Sequence, residues 1–280
     1  MRRSFGVIGG DRRQAELTHL LEEDGYVVYS YGLEKWGANG ATSLDRATAA
    51  DVVILPLPLC CEEGILNCEE MLVTTECLFR QLGPRQIVLA GNVQEEQRKE
   101  AENCGLLLLD YFKREELAVA NAAATAEVAV RVAMERLDRT LLGQECLVLG
   151  FGRIGKLLSY RLHGLGARVT AAARKPEDLA WIRAYGWGAL NTRFMDGELG
   201  RFGVVFNTIP FPVLDGGLLE QLPARCLCVE LASVRGIDGA MVEQQGKQYI
   251  WARSLPGRFV PRTAAEAIRD AIYYIIYNEL

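Results

Sequence analysis

The chain has 280 residues, half of them apolar, and a formal net charge of −5 at pH 7. This length fits one large or two medium domains with substantial cores. The acidic balance, without a long basic run, argues against nucleic acid or an anionic membrane as a partner, so small molecules are the expected ligands. The N-terminal apolar stretch is too short for a signal peptide and no run reaches about 18 apolar residues. We therefore expect a soluble, cytosolic protein.

The first part of the chain alternates between strand and helix patterns. Phe5 opens a strand that runs into a glycine turn, and the segment from Asp11 to Glu23 has leucines at helical spacing, with Asp11 as its N-cap. The alternation indicates a mostly parallel, doubly wound sheet whose ligands lie beyond the carboxyl ends of the strands. Further strands are predicted at 26–29, 51–58, 86–91 and 106–109, and helices near 69–82 and 94–103.

A glycine motif follows an alanine-rich helix at about 117–137, which we interpret as a hinge. An apolar run ends at Gly150, and Gly152 and Gly155 complete the spacing G-x-G-x-x-G before a second helical segment. In such motifs the first glycine permits the turn, the second admits a pyrophosphate and the third allows the helix to pack on the strand. The strand, turn and helix context favours a dinucleotide site. The predicted cofactor-binding residues here are Gly150, Phe151, Gly152, Arg153, Ile154 and Gly155.

The end of the next strand indicates which dinucleotide binds. NAD enzymes usually have an acidic residue about 20 positions after the motif, whereas this chain has Ala173, Arg174 and Lys175. Because a guanidinium can bind a 2′-phosphate through two hydrogen bonds, the sequence favours NADP over NAD. The alternative is a solvated basic turn, since Glu177 and Asp178 follow closely.

Two later strands, at 204–209 and 226–233, end in small or polar residues. The ends of these strands are expected to face the nicotinamide side of the cofactor, and ordinary loop chemistry is the alternative. The candidate contacts are Thr208, Ile209, Pro210, Ala232 and Ser233.

The chain closes with a predicted helix that begins at Thr263, with a capping box between Thr263 and Glu266. An apolar stripe on this helix must be covered either by the first domain or by a second copy of the chain. The stripe consists of Ile268, Ile272, Ile275 and Ile276.

The sequence thus predicts an α/β protein with two doubly wound, mostly parallel-sheet, Rossmann-like domains joined by hinge helices. The first, on the substrate side, comprises 1–116 with 264–280, and the second, which binds the cofactor, comprises 117–263. We expect a substrate held by both domains to favour their closure and to bind after the cofactor.

Few residues are suited to acid–base catalysis. The two histidines, His19 and His163, fall in predicted helices rather than at strand ends, which disfavours an ordinary 2-hydroxyacid dehydrogenase. No hydrolase, kinase or HExxH motif is present, and the eight cysteines have no zinc spacing, so we expect reduced thiols and no metal. Hydride chemistry with little need of a strong base remains, and no catalytic residue is assigned.

Several segments together resemble the A-subunit of dipicolinate synthase, and the resemblance spans nearly the whole chain. They occur in the order 9–14, 121–127, 150–155 with 173–174, 207–210 with 215, 230–233, and 255–257 with 261.

The resemblance implies formation of dipicolinate (pyridine-2,6-dicarboxylate) from a dihydro or 4-hydroxy-tetrahydro precursor during bacterial sporulation. It also implies a cytoplasmic location in the mother cell and, as partner, a flavoprotein-like B-subunit. Aromatisation would drive hydride transfer to NADP⁺, so the site must mainly orient two carboxylates. The candidate residues are Arg13, Thr125, Ser233 and Gly257.

Two alternatives to this activity stay open. One is an NADP-dependent dehydrogenase of another diacid or hydroxy acid, and the other is a non-catalytic nucleotide-binding subunit that orders a flavoprotein partner. A homo-oligomer such as a dimer also stays open.

Overall fold

A computed structural model describes residues 3–62 and 64–280, which form two compact units. The first unit contains the residues up to Asn121 together with Pro256–Leu280, and the second contains Ala122–Leu255. The bounds expected from the sequence, at 116 and 264, differ from these divisions because the change in sequence pattern does not coincide with the change in packing.

The strands fall into two parallel sheets and one small antiparallel hairpin. In chain order they are β1 (Ser4–Ile8), β2 (Val27–Tyr31), β3 (Val52–Ile54), β4 (Cys60–Glu62), β5 (Ile65–Leu66), β6 (Ile87–Ala90), β7 (Leu108–Asp110), β8 (Glu145–Leu149), β9 (Arg168–Ala173), β10 (Gly188–Asn191), β11 (Val204–Asn207), β12 (Leu227–Glu230) and β13 (Gln248–Trp251).

The helices connect these strands and cover the sheets. In chain order they are α1 (Arg12–Glu23), α2 (Leu44–Thr48), α3 (Thr75–Phe79), α4 (Glu95–Asn103), α5 (Glu115–Met134), α6 (Arg153–Gly164), α7 (Pro176–Ala184), α8 (Gly216–Gln221), α9 (Gly239–Gln244), α10 (Leu255–Phe259) and α11 (Pro261–Asn278).

Both sheets have doubly wound topologies, as predicted. Among the described residues, the first sheet has the order β2-β1-β3-β6-β7 and the second has the order β10-β9-β8-β11-β12-β13, with parallel neighbours throughout. The second order corresponds to the dinucleotide-binding arrangement 3-2-1-4-5-6, and the first to the flavodoxin-like arrangement 2-1-3-4-5. Ligands of such sheets bind where the order reverses, beside β8 in the second unit and beside β1 in the first.

The helix predicted near 69–82 is wrong for most of that segment, which follows the hairpin β4–β5. Only Thr75–Phe79 is helical there, and Thr74 caps it by accepting from the backbone N–H of Cys77 at 3.3 Å. The carbonyl of Val73 accepts from the backbone N–H of Leu66 at 2.9 Å, and Thr74 bridges to Ile65, so both residues pair with β5. Tertiary pairing therefore overrides the local helical pattern.

The last helix, α11, belongs to the first unit and completes its core. Its four stripe isoleucines are each at most 3% exposed and lie in the same hydrophobic cluster as Phe5 and Leu17, so the first domain covers the stripe. The predicted capping box at Thr263 is wrong, because the helix begins at Pro261, whose fixed φ suits the first helical position.

Helix α5 runs from the first unit into the second. By length and composition alone it could span a membrane. Half of its most apolar stretch is buried inside the protein, as in a core helix.

Candidate functional site

The glycine motif forms the strand, turn and helix that its spacing predicts. Gly150 follows β8 with φ +100°, a conformation that glycine adopts without steric cost, and its N–H donates to the carbonyl of Ala172 at 2.9 Å. A Cβ at Gly150 would also overlap the hydroxyl of Thr208. The turn therefore requires glycine on two independent grounds.

Gly155 and Gly152 have different roles in the motif. A Cβ on Gly155 would overlap the carbonyl oxygen of Gly150, so glycine lets α6 pack against the turn. Gly152 is the N-cap of α6 and has no side-chain cap, and within the described part of the chain no atom beyond its own backbone neighbours lies within 4 Å of the position that its Cβ would take. This open space at a helix N-terminus fits a pyrophosphate, whose negative charge the helix dipole would stabilise.

The other predicted residues of the motif contribute mainly through their backbone. The ring of Phe151 is only 5% exposed and packs against Trp187 and Tyr185, with ring centroids 6.4 and 6.5 Å away. Arg153 and Ile154 form the first turn of α6. The Phe151 side chain therefore anchors the turn and leaves its peptide groups at the turn surface.

The loop after β11 lies directly against the motif. The hydroxyl of Thr208 donates to the carbonyl of Leu149 at 2.8 Å, and its backbone N–H donates to the same oxygen at 2.9 Å. Ile209 is half-buried beside Gly150 and Pro210 is exposed. The structure thus brings Thr208 and Ile209 to the edge of the dinucleotide turn, and a contact by Pro210 stays a prediction.

A buried carboxylate, that of Glu230, holds the loops after β11 and β12 together. The sequence analysis did not predict this role. Glu230 is fully buried and both its oxygens accept from Nδ2 of Asn207 at 2.9 Å. It also accepts from the backbone N–H groups of Ala232, Gly236 and Ile237 at 2.9–3.0 Å. Its position after three apolar residues of a central strand is the signal that could have identified it, since a buried charge must be paired.

This network fixes the backbone next to Ala232, which is buried, while Ser233 beyond it is exposed. Tyr249, on the neighbouring strand β13, has a buried hydroxyl without a hydrogen-bond partner within the described residues. Burial, together with the negative charge of Glu230, raises the pKa of Tyr249 to about 12. Tyr249 therefore stays neutral at physiological pH and does not act as a base.

The basic turn after β9 has the form expected of a 2′-phosphate site. Ala173 is the buried end of the strand, and Arg174 and Lys175 are exposed at the start of α7. Within the described residues, neither cation forms an ion pair with Glu177 or Asp178 or with another carboxylate. Both cations are therefore available to a phosphate.

Two of the predicted substrate residues, Arg13 and Gly257, lie beside each other in the first unit. Asp11 caps α1 and holds the Arg13 guanidinium through Nε and Nη2, both at 2.9 Å, and Nη2 also donates to the carbonyl of Leu57. A Cβ at Gly257 would be 3.1 Å from Arg13 Nε. Arg13 is 9% exposed, and these bonds leave its Nη1 group for another partner.

The remaining predicted substrate residues belong to the second unit. Thr125 is 7% exposed within α5, and Ser233 is exposed in the loop after β12. The two histidines lie in helices as predicted, where Nε2 of His19 contacts the Gly37 carbonyl at 3.0 Å and His163 faces Trp187. Joint binding of a diacid by Arg13 and Ser233 stays a prediction.

Known proteins with this arrangement identify the chain's relatives. Residues 4–112 match the family described as the N-terminal domain of the dipicolinate synthase A-subunit. The dipicolinate synthase A-subunit from Bacillus subtilis is 28% identical, over 96% of this chain and 94% of that protein. The crystal structure of the dipicolinate synthase A-subunit from Bacillus halodurans superposes with a TM-score of 0.84 and 26% identity, covering 98% of both chains.

The resemblance to the dipicolinate synthase A-subunit is confirmed. An L-alanine dehydrogenase also superposes, with a TM-score of 0.64 and 15% identity, over 96% of this chain and 88% of that one. This second likeness concerns the fold alone. The chain therefore has the two-domain, Rossmann-like fold that the sequence predicts.

Proposed function

We propose that this chain is an NADP-dependent oxidoreductase that forms dipicolinate and acts as the A-subunit of a dipicolinate synthase. The observation that carries the cofactor part is the open turn at Gly152, supported by Arg174 and Lys175, which form no ion pair within the described residues. The substrate part rests on similarity, over nearly the whole chain, to the dipicolinate synthase A-subunit.

The residues of the second unit would hold the cofactor at three places. The N-terminus of α6 and the peptide groups around Gly152 would bind the pyrophosphate. Arg174, supported by Lys175, would bind the 2′-phosphate with parallel N–H donors. The loop ends at Thr208–Pro210 and Ala232, fixed by Glu230, would border the nicotinamide, which accepts a hydride when bound.

The reaction balances without a strong base. A dihydropyridine dicarboxylate loses a hydride to NADP⁺ and a proton to water, giving the aromatic diacid and NADPH, and a 4-hydroxy-tetrahydro precursor first loses water. The chain's own residues must orient the two carboxylates and exclude water from the hydride path. Arg13, Thr125, Ser233 and Gly257 are the proposed contacts for this orientation.

The names of the relatives also guide the proposed partner and location. The relatives from Bacillus subtilis and Bacillus halodurans are each named as one subunit of a dipicolinate synthase. We propose a flavoprotein-like B-subunit, in the cytoplasm of a sporulating mother cell, as the partner of this chain. A non-catalytic role for this chain is the second candidate. It is favoured by the position of both histidines within helices and by the neutral, hydrogen-bond-poor Tyr249.

A substrate panel tests this proposal. The purified chain, with and without the B-subunit, is incubated with NADP⁺ and one substrate at a time, while NADPH absorbance is followed. The substrates are the dihydropyridine dicarboxylate precursor and, for comparison, other diacids and hydroxy acids. We expect NADPH with the dihydropyridine precursor and little with hydroxy acids. Reduction of NADP⁺ with another substrate but not with the dihydropyridine precursor would indicate a different dehydrogenase. No reduction of NADP⁺ with any substrate would favour the non-catalytic role.

A further inference from the structure

Two arginines and a tryptophan form a cluster at the carboxyl edge of the second sheet. Strands β12 and β13 are paired so that Glu230 aligns with Trp251, the last residue of β13. The indole Nε1 of Trp251 donates to the carbonyl of Ala232 at 3.4 Å. This bond places the indole against the loop that contains Ser233.

Both arginines lie over the same indole ring. The Arg235 guanidinium carbon is 4.0 Å from the ring centroid of Trp251, and that of Arg253 is 4.6 Å away. Such cation–π contacts engage a guanidinium through its face and restrict its side chain. The N–H donors at its edge then remain available for a planar, bidentate acceptor such as a carboxylate.

The positive charges of this cluster are not neutralised within the described part of the chain. Neither Arg235 nor Arg253 forms an ion pair or a side-chain hydrogen bond there. Of the nearby carboxylates, Glu230 is taken up by Asn207 and backbone N–H groups, and Asp238 caps α9 by accepting from the N–H of Met241 at 3.2 Å. An external anion would complete the cluster.

The cluster is connected to the loops that border the proposed nicotinamide position. Gly236, next to Arg235, is packed so tightly that its Cβ would be 2.5 Å from the Ile209 carbonyl oxygen and would overlap Nδ2 of Asn207. Ile209 in turn borders Gly150. The backbone that presents Arg235 is therefore held by the loop that contacts the dinucleotide turn.

We propose that Arg235 and Arg253, stacked on Trp251, bind a carboxylate of the cyclic dicarboxylate substrate next to Ser233. The inference rests on the proposed function and adds a pair of cations to it. A diacid carries two negative charges whereas Ser233 is neutral, and preorganised guanidinium edges bind carboxylates at a lower entropic cost than free side chains.

Calorimetric titration of the full chain with dipicolinate, with and without saturating NADP⁺, tests this inference. We expect Arg235→Gln and Arg253→Gln each to weaken dipicolinate binding by about tenfold or more, as the loss of a charge-assisted contact predicts. Both variants should bind NADP⁺ as the wild type does. In turnover, they should raise KM for the diacid more than they lower kcat.

Arg201→Gln is the matched control. Arg201 is also exposed and stacks on an aromatic ring, 4.9 Å from the Phe202 centroid, but it precedes β11 and so lies at the opposite edge of the sheet. Its replacement should leave dipicolinate binding unchanged. Trp251→Leu should weaken dipicolinate binding as the arginine variants do, with NADP⁺ binding as the test of its folding.

The outcomes separate the inference from the proposed function. Wild-type affinity for dipicolinate in both arginine variants would overturn the carboxylate site, as would a loss in Arg201→Gln equal to theirs. A wild-type chain that binds NADP⁺ but not dipicolinate would overturn it as well. A wild-type chain that does not bind NADP⁺ would instead contradict the proposed function.

Discussion

Replacing Gly152 with alanine should separate cofactor binding from folding. The φ of Gly152 is −78°, which any residue adopts, and its Cβ position has no neighbour within 4 Å. Gly152 is an N-cap, a position that favours glycine over alanine, so the free energy of unfolding should fall by only about 0.5–1 kcal/mol. The new methyl group would occupy the space proposed for the pyrophosphate. Loss of one charge-assisted contact costs about 1.5–3 kcal/mol, which corresponds to roughly a 10- to 150-fold rise in the Kd for NADP⁺.

Gly155→Ala is the comparison that makes this result interpretable. Its Cβ would overlap the carbonyl oxygen of Gly150, so the helix must shift, at a cost of about 1–3 kcal/mol. Thermal unfolding and NADP⁺ titration of both variants give the two readouts. We expect Gly152→Ala to lose affinity with only a small fall in Tm, and Gly155→Ala to show the larger fall in Tm. An unchanged Kd in Gly152→Ala would refute the assignment of this turn to the pyrophosphate.

Three further results are expected. Arg174→Ala should weaken NADP⁺ binding by about 1.5–3 kcal/mol and leave NAD⁺ binding unchanged. The control Arg168→Ala, at the other end of β9, should change the binding of neither cofactor. Equal or tighter binding of NAD⁺ by the wild type would contradict the NADP preference. Glu230→Gln should lower Tm, since its amide turns donors toward backbone N–H groups, at about 1–3 kcal/mol per group left unpaired; an unchanged Tm would remove its role in holding the loops. The backbone N–H and the hydroxyl of Ser4 both donate to Asp51 Oδ2 at 2.7 Å and lower the pKa of Asp51. These hydrogen bonds therefore stabilise the fold above the unfolded-state pKa of Asp51, and the stabilisation is lost as pH falls through its folded-state pKa. Ser4→Ala should raise the pKa of Asp51 in an NMR titration, and no rise would contradict the assignment.

The dinucleotide turn could be predicted from the sequence because its geometry depends on local backbone requirements. The positive φ of Gly150 and the close approach at Gly155 are both conditions that only glycine meets without strain. The N-cap role of Asp11 was predictable for a similar reason, since a capping side chain acts on its own helix. Local rules of this kind need no knowledge of distant residues.

Other features depend on residues that are far apart in the chain. The burial of Glu230 could have been recognised from its strand, but its role could not, because its side-chain partner, Asn207, is 23 positions away. The edge strands β10 and β13 have half-buried residues and were missed because their apolar runs are short. The pairing of Arg235 and Arg253 on Trp251 required the register of β12 and β13.

Transfer of a labelled hydride tests most directly that this chain performs the oxidation itself. The dihydropyridine dicarboxylate, deuterated at the carbon that loses hydride, is incubated with NADP⁺ and the chain alone, and the reduced cofactor and the diacid are analysed by mass spectrometry. The proposed function predicts deuterium in the reduced cofactor, in an amount equal to the dipicolinate formed. Dipicolinate that forms only with the B-subunit, while the cofactor stays oxidised, would contradict it.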